Sequence, residues 1–295
     1  MENTRQLPDQ PRSWFLVTEE KNISVKLFAS DVAGLDIILF KSNGKIVAMN
    51  RRCPHMNADL ALGCVVEGKL QCSLHHKKFY NETFPIEVRH GLVFVFNGSK
   101  ATFTLPFFEG VKPETLEPSL VKPLQLENNW FVGAANAFDV DHFQFVHLRR
   151  LLKEPVLRQP DDHSFRIHLD YEICGDTFSD KLMKIFYGKR ASLNFTVYAG
   201  NFILAVTSVK NLINYMMIVN APVSQEKSEA LLLVFSKKSS NPFKRLKREL
   251  QAHFSQKFFQ DEADNSKGVF IDTNKLAPED AVLKHYLEWL MRYYS

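Results

Sequence analysis

The sequence predicts an all-β module followed by a longer α+β region built on an antiparallel sheet. Three observations predict it. Short apolar runs separated by turn signals fill residues 12–105. A connector marked by Pro106, Pro113, Glu114 and Pro118 follows. A second strand-rich stretch over 164–236 then gives way to helical runs, an order that suits an α+β domain.

The first module opens with SWFLVTEE and ISVKLFAS. DIILF-KSNG-KIVAM reads as a hairpin, because Asn43-Gly44 supplies the two residues that tolerate positive φ. GLVFVFNGS closes the module. A second region starts near Leu124. Residues 134–152, AANAFDVDHFQFVHLRRLL, lack Gly and Pro and predict one helix. FRIHLDYEI, ASLNFTVYA, NFILAVTSV, YMMIVNAPV and EALLLVFS predict strands. Pro242 precedes a long helical run, and Pro278 opens a last helix through EDAVLKHYLEWLMRYY. The expected domains are 12–110 and 120–295.

Composition narrows the function classes. The 295 residues are 45% hydrophobic and 24% charged, with 25 Phe, enough for a large aromatic-rich core. Mean hydropathy is −0.19. A net charge of +4 is too mild to argue for nucleic acid. The opening MENTRQLPDQPRSWF has no basic segment leading into an apolar one, and no run is long enough for a membrane span. The expected location is cytoplasmic. Four cysteines, Cys53, Cys64, Cys72 and Cys174, are too few for a disulfide scaffold.

Two of those cysteines are each followed closely by a histidine. Cys53-Pro-His55 and Cys72-Ser-Leu-His75 are separated by sixteen residues. Two tight loops of this kind can offer two thiolates to one iron and two imidazoles to another, and such mixed ligation raises a cluster's reduction potential. Zinc is the competing reading, although zinc fingers pair Cys with Cys and His with His. Cys64, between the pairs, reads as a small packing residue.

The segment Arg52-Cys53-Pro54-His55, Leu62-Gly63, Cys72-Ser73-Leu74-His75 and Phe79 resembles a Rieske cluster-binding domain. Trp14-Phe15 resembles its opening strand and residues 85–96 its closing strands. The resemblance implies a [2Fe-2S] cluster with Cys53 and Cys72 on one iron and His55 and His75 on the outer one. One departure stands out. The family usually has Gly-Trp after the second histidine, where this chain has His76-Lys77. Glycine tolerates positive φ there and histidine does so only with strain. His76 reads as a solvent-facing loop residue or a fifth ligand.

Downstream, Asn136, Asp139, His142 and His147 share one segment. Two histidines and a carboxylate suit a mononuclear ferrous site with open positions. Alone the pattern is weak; behind a Rieske-like module it resembles the catalytic subunit of Rieske non-haem iron oxygenases. That resemblance covers roughly residues 12–293. It implies His142 and His147 as iron ligands, and Asp139 as the bridge that carries electrons from His75 of another chain. Phe258-Phe259-Gln260-Asp261-Glu262 resembles the segment that supplies the third ligand, taken as Asp261, with Glu262 and Asp264 as near alternatives. Asn136 is either a supporting polar group or a helix-surface residue. His142 and His147 lie five residues apart, about 140° around a regular helix. Both reach one iron only if the helix is widened, kinked or ended there, and a π-bulge is the simplest device.

The resemblance further implies an all-β Rieske domain followed by an α+β helix-grip (StAR-related-like) domain. It implies O2 as co-substrate, a small organic substrate, a homotrimer, and monooxygenation or demethylation more than dioxygenation. No G-x-G-x-x-G or P-loop pattern occurs, so electrons are expected from a separate NAD(P)H-dependent reductase or a ferredoxin. Lys237, Lys238, Lys244, Arg245, Lys247 and Arg248 offer such a partner a basic surface, or form a solvated helix start. Phe138, Phe143, Phe195, Phe202 and Phe258 either line the substrate pocket or form plain core. The alternative function is a non-catalytic electron-transfer or redox-sensing protein that has lost the second iron.

Overall fold

The structure is a computed structural model and describes residues 7–23, 27–80, 83–186, 188–239 and 242–295. It divides into two compact units. One holds residues 10–105 with 221–223, the other residues 106–220 and 224–295 with the segment up to Asp9.

The described residues of the smaller unit form ten strands: β1 (Trp14–Glu19), β2 (Phe28–Val32), β3 (Leu35–Ser42), β4 (Lys45–Asn50), β5 (Cys64–Val66), β6 (Lys69–Gln71), β7 (Lys78–Phe79), β8 (Thr83–Phe84), β9 (Ile86–Arg89) and β10 (Leu92–Phe96). They form three small antiparallel sheets, ordered β1-β10-β9, β2-β3-β4-β8 and β5-β6-β7. The β3–β4 hairpin turns at Asn43 and Gly44, with φ of 49° and 79°. Two successive positive values are what a type I′ turn requires. Ile37, Leu39, Ala48, Val93 and Val95 pack together as one core. Ile38, Phe40, Leu60 and Leu70 form another, which also takes in Cys53 and Cys72.

The larger unit is organised by one nine-stranded antiparallel sheet. Its strands are β11 (Leu116–Leu120), β12 (Leu124–Leu126), β13 (Arg149–Leu151), β14 (Val156–Asp161), β15 (Ser164–Ile173), β16 (Arg190–Tyr198), β17 (Phe202–Val209), β18 (Leu212–Ser224) and β19 (Lys227–Lys237). The main path runs β11-β19-β18-β17-β16-β15-β13. In β15 the buried residues alternate, Phe165, Ile167, Leu169, Tyr171 and Ile173, so one face turns to the core.

Among the described residues five α-helices complete this unit: α1 (Val132–Ala135), α2 (Val140–Phe145), α3 (Phe178–Phe186), α4 (Pro242–Asn265) and α5 (Ala281–Tyr293). Leu283, Tyr286, Leu287 and Leu290 follow helical spacing on α5 and are buried. Tyr286 stacks on Phe138 at 4.1 Å, and Trp289 stacks on Phe165 of the sheet at 5.4 Å. A long antiparallel sheet packed against a C-terminal helix is the arrangement expected of a helix-grip domain.

The single helix expected over 134–152 is not formed. Residues 136–138 tighten into a 3-10 turn and Asp139 is extended, with φ −83° and ψ 100°. Asp139 then caps a new, short helix, its Oδ1 accepting the N–H of His142 at 2.9 Å. This carboxylate competes successfully with continued helix, as Asp does at N-caps. The segment ends as strand β13 instead of helix.

Candidate metal centres

In the smaller unit two six-residue loops repeat one construction. A bridge between Arg52 and Asp59 closes the first, and the pair Gln71–Lys78 closes the second. Cys53 N–H donates to Ala58 O at 2.9 Å and Asn57 N–H to Cys53 O at 2.8 Å. Cys72 N–H donates to Lys77 O at 2.9 Å and His76 N–H to Cys72 O at 3.0 Å. The fifth residue of each loop is left-handed: Asn57 at φ 54° and His76 at φ 56°. The strain anticipated at His76 is therefore accepted and the loop keeps its shape. Histidine is among the side chains that enter this region more readily than most, and His76 Nδ1 lies 3.0 Å from Gln71 Nε2.

The loops bury their sulfurs and expose their imidazoles. Cys53 and Cys72 are each 1% exposed, while His55 and His75 face solvent with ring centroids 4.8 Å apart. The N–H of Leu74, with those of His75 and the Cys53 thiol, outweighs burial and lowers the Cys72 pKa, favouring thiolate. Desolvation, the Lys77 cation and His75 hold His55 below its ordinary value, leaving it neutral. Deprotonated sulfur and neutral nitrogen are the forms that bind metal. Arg51 supports the first loop by pairing with Asp59, whose Oδ1 also accepts Ala61 N–H at 2.9 Å. The Arg51 hydrogen bond holds Asp59 at a pKa of about 2. Cys64 is exposed, contrary to its expected packing role.

The larger unit brings together His142, His147 and Glu262, whose ligand atoms lie within 4.8 Å of one another. His142 Nε2 is 3.0 Å from Glu262 Oε1, His147 Nε2 is 3.2 Å from Glu262 Oε2, and the two Nε2 atoms are 3.1 Å apart. The two histidines meet because α2 stops at Phe145. Val146 and His147 turn, and Leu148 takes φ 52°. The irregularity expected between residues 142 and 147 is a helix end, not a π-bulge.

The carboxylate differs from the expected one. Asp261 is exposed, and Asp264 pairs with Lys267 at 2.9 Å. One residue along α4 rotates the side chain by about 100°, which turns Asp261 to solvent and Glu262 to the histidines. Glu262 Oε1 also accepts Asn136 Nδ2 at 2.9 Å. Burial favours the neutral acid, but His142 and His147 prevail and hold Glu262 well below the usual carboxylate range. Burial likewise opposes charge on His142, but Glu262 and then Asp139 raise its pKa. Glu262 Oε2 is buried without a well-formed hydrogen bond, even so close to His147. Two imidazole nitrogens aimed at each other and at the two oxygens of one carboxylate, of which Oε2 is orphaned, fit a shared cation. The donor set, two nitrogens and an oxygen, is that of a facial triad.

Three supporting side chains carry no sequence signal. Arg149 Nη1 donates to His147 O at 2.7 Å, its Nη2 lies 2.6 Å from Asp180 Oδ1, and Asp180 Oδ2 accepts Thr177 Oγ1 at 2.7 Å. Phe258 stacks on His147, with centroids 5.0 Å apart. The triad opens onto a mostly apolar cavity of about 500 Å³. Phe143, Phe195 and Phe258 line it, whereas Phe138 and Phe202 are fully buried core. The side chains of Lys244, Arg245 and Lys247 in the basic run lie outside the described residues. Arg248 pairs with Glu117.

Residues 13–89 match the family described as Rieske [2Fe-2S] domain. The chain is 27% identical over 157 residues to the 3-chlorobenzoate-3,4-dioxygenase oxygenase subunit of Comamonas testosteroni, covering 45% of this chain and 35% of that one. It is 26% identical over 183 residues to the 4beta-methylsterol monooxygenase of Methylococcus capsulatus, covering 51% and 49%. The matched stretches thus span half or less of these relatives. In fold it resembles NdmA of Pseudomonas putida CBB5, solved with caffeine, at a TM-score of 0.69 and 18% identity over 95% of this chain and 89% of that one.

Proposed function

We propose that this chain, a member of the Rieske non-haem iron oxygenases, works as a terminal oxygenase that oxidises a small organic substrate with O2 and electrons from a separate reductase or ferredoxin. The observation that carries the proposal is the convergence of His142, His147 and Glu262 on the wall of an apolar cavity, in a chain that also has a Rieske domain.

Cys53, His55, Cys72 and His75 would hold the [2Fe-2S] cluster, and His142, His147 and Glu262 a mononuclear Fe(II). Bound there, the two centres supply electron storage and O2 activation, the part of the reaction that amino-acid side chains do not provide. The protein's own residues do the rest. Asn136 fixes one oxygen of Glu262. Asp139 sets the start of α2 and so the direction of His142. Arg149 holds the backbone of His147. The apolar walls exclude water from the reacting face and orient the substrate.

Exposure of His75 and the half-buried setting of Asp139 support an electron route from His75 of one copy to Asp139 of a second, in a homotrimer. The relatives carry both dioxygenase and monooxygenase names. The monooxygenase and demethylase names among the relatives, the methylxanthine N1-demethylase NdmA of Pseudomonas putida included, support hydroxylation or demethylation with one oxygen atom inserted. No described helix is long and apolar enough to cross a membrane. Four unbridged cysteines suit a reducing compartment, and we take the cytoplasm as its location.

The test is anaerobic reconstitution with iron and sulfide, followed by iron analysis. Wild type should hold about three iron per chain, and His142→Ala with His147→Ala about two, the cluster's own complement. Two iron in both proteins would leave only an electron carrier.

A further inference from the structure

The cavity beside the triad has a length and a polarity that α4 makes readable. Gln251, Ser255, Phe259 and Glu262 follow one another at helical spacing and all face it. Glu262 stands at the metal end. Gln251 lies eleven residues earlier, or about 16 Å along the axis at 1.5 Å per residue.

Near Gln251 the wall carries a polar, uncharged patch. Thr207 and Asn214 are direct partners across β17 and β18, and both line the cavity. Gln251 Nε2 donates to Asn214 Oδ1. That bond leaves an amide donor on Asn214 and a carbonyl acceptor on Gln251, with the Thr207 hydroxyl alongside. Apolar residues flank this polar pair along the same two strands, Ala205 and Met216 on one side and Val209 and Leu212 on the other, and all four line the cavity.

Charge in the cavity is unfavourable to acids. Arg149 is the one cation other than histidine among the described lining residues, and it is engaged by Asp180 and His147 O. Asp180 already balances Arg149, so the described wall away from the triad offers no free cation. A carboxylate entering would be desolvated without a free partner, which is costly.

We propose that the cavity takes an uncharged, elongated, mainly apolar substrate whose hydrogen-bonding group, a hydroxyl, ketone or amide, is seated by Thr207, Asn214 and Gln251, remote from the atom oxidised beside Glu262. This rests on the oxygenase reading of the triad and adds the substrate class.

Binding is measured without turnover. The iron-loaded protein, kept anaerobic, is titrated calorimetrically with decan-1-ol and with decanoate at pH 8. Decan-1-ol binds at least tenfold more tightly than decanoate. Asn214→Leu with Gln251→Leu weakens decan-1-ol about tenfold, the loss expected of two net hydrogen bonds. Thr207→Val, nearly isosteric, weakens it about threefold and serves if the double variant does not fold. Decanoate binding as tightly as decan-1-ol, no binding of decan-1-ol, or an affinity unchanged in the variants overturns the proposal. Iron content separates this from the oxygenase reading: alcohol binding as described in a protein with two iron per chain sinks the oxygenase and leaves the cavity's specificity standing.

Discussion

Arg149 holds His147 by its backbone: the guanidinium donates to the His147 carbonyl at 2.7 Å, with Asp180 gripping its other arm. The ion pair is nearly enclosed, with Asp180 5% exposed. Removing one member of a buried pair costs about 3–5 kcal/mol. At about 2–4 °C per kcal/mol for a domain of this size, Asp180→Ala should lower the melting midpoint by roughly 6–20 °C. Iron analysis of the folded variant should show loss of the mononuclear iron, with visible absorption of the cluster retained. An unchanged iron count would mean that the clamp does not position His147.

Glu262 and Asp261 are adjacent in sequence and opposite in setting. Glu262→Ala should lose about one iron per chain and all oxygenation, while Asp261→Ala should keep its iron and most of its activity. The reverse result would place the third ligand at Asp261, where the resemblance put it.

The left-handed position of the second cluster loop permits a sharper comparison. His76→Gly removes a side chain from positive φ, worth about 1–2 kcal/mol, and raises the unfolded chain's freedom, which costs about 0.5–1 kcal/mol. Thermal stability should thus be equal or slightly higher. His76→Val places a β-branched residue there and should cost about 1–2 kcal/mol. Visible circular dichroism of the cluster and the melting midpoint report both. Glycine and valine behaving alike would show that φ at residue 76 does not constrain the loop.

Asp59 gives the smaller unit a pH signature. Its folded pKa of about 2, set by the Arg51 hydrogen bond, lies below the ordinary 3.8. The unfolded chain therefore takes up the proton first as pH falls. The pair contributes fully above about pH 4, and its contribution disappears as pH drops to about 2. The difference in melting midpoint between wild type and Asp59→Asn should be constant from pH 7 to pH 4 and shrink below it. A difference that stays level to pH 2 would deny the pair this role.

Much of the fold was legible because its signals are local. Asn43-Gly44 dictated a hairpin, alternation dictated β15, and Pro278 announced α5. The segment 134–152 misled because the absence of Gly and Pro is permissive, not directive: the Asp139 side chain and the turn at His147 interrupt it. Two closely spaced Cys-His pairs exposed one centre, since each loop contains its own donors. The other was half-legible. His142 and His147 share a segment, but the carboxylate comes from a helix more than a hundred residues later. There a one-residue difference in facing decides between Asp261 and Glu262. Arg149, Asp180 and Thr177 were invisible, because only tertiary packing joins them.

The matched loops around Cys53 and Cys72 also determine where this chain tolerates change in length. Each loop fastens to itself, through its own cysteine amide and carbonyl and its own closing pair. The spacing between the Cys-His pairs is then a tether, not a ruler. Residues inserted at the Glu67-Gly68 turn would lengthen the tether and leave both grips intact, whereas one residue added inside either loop would break its grip.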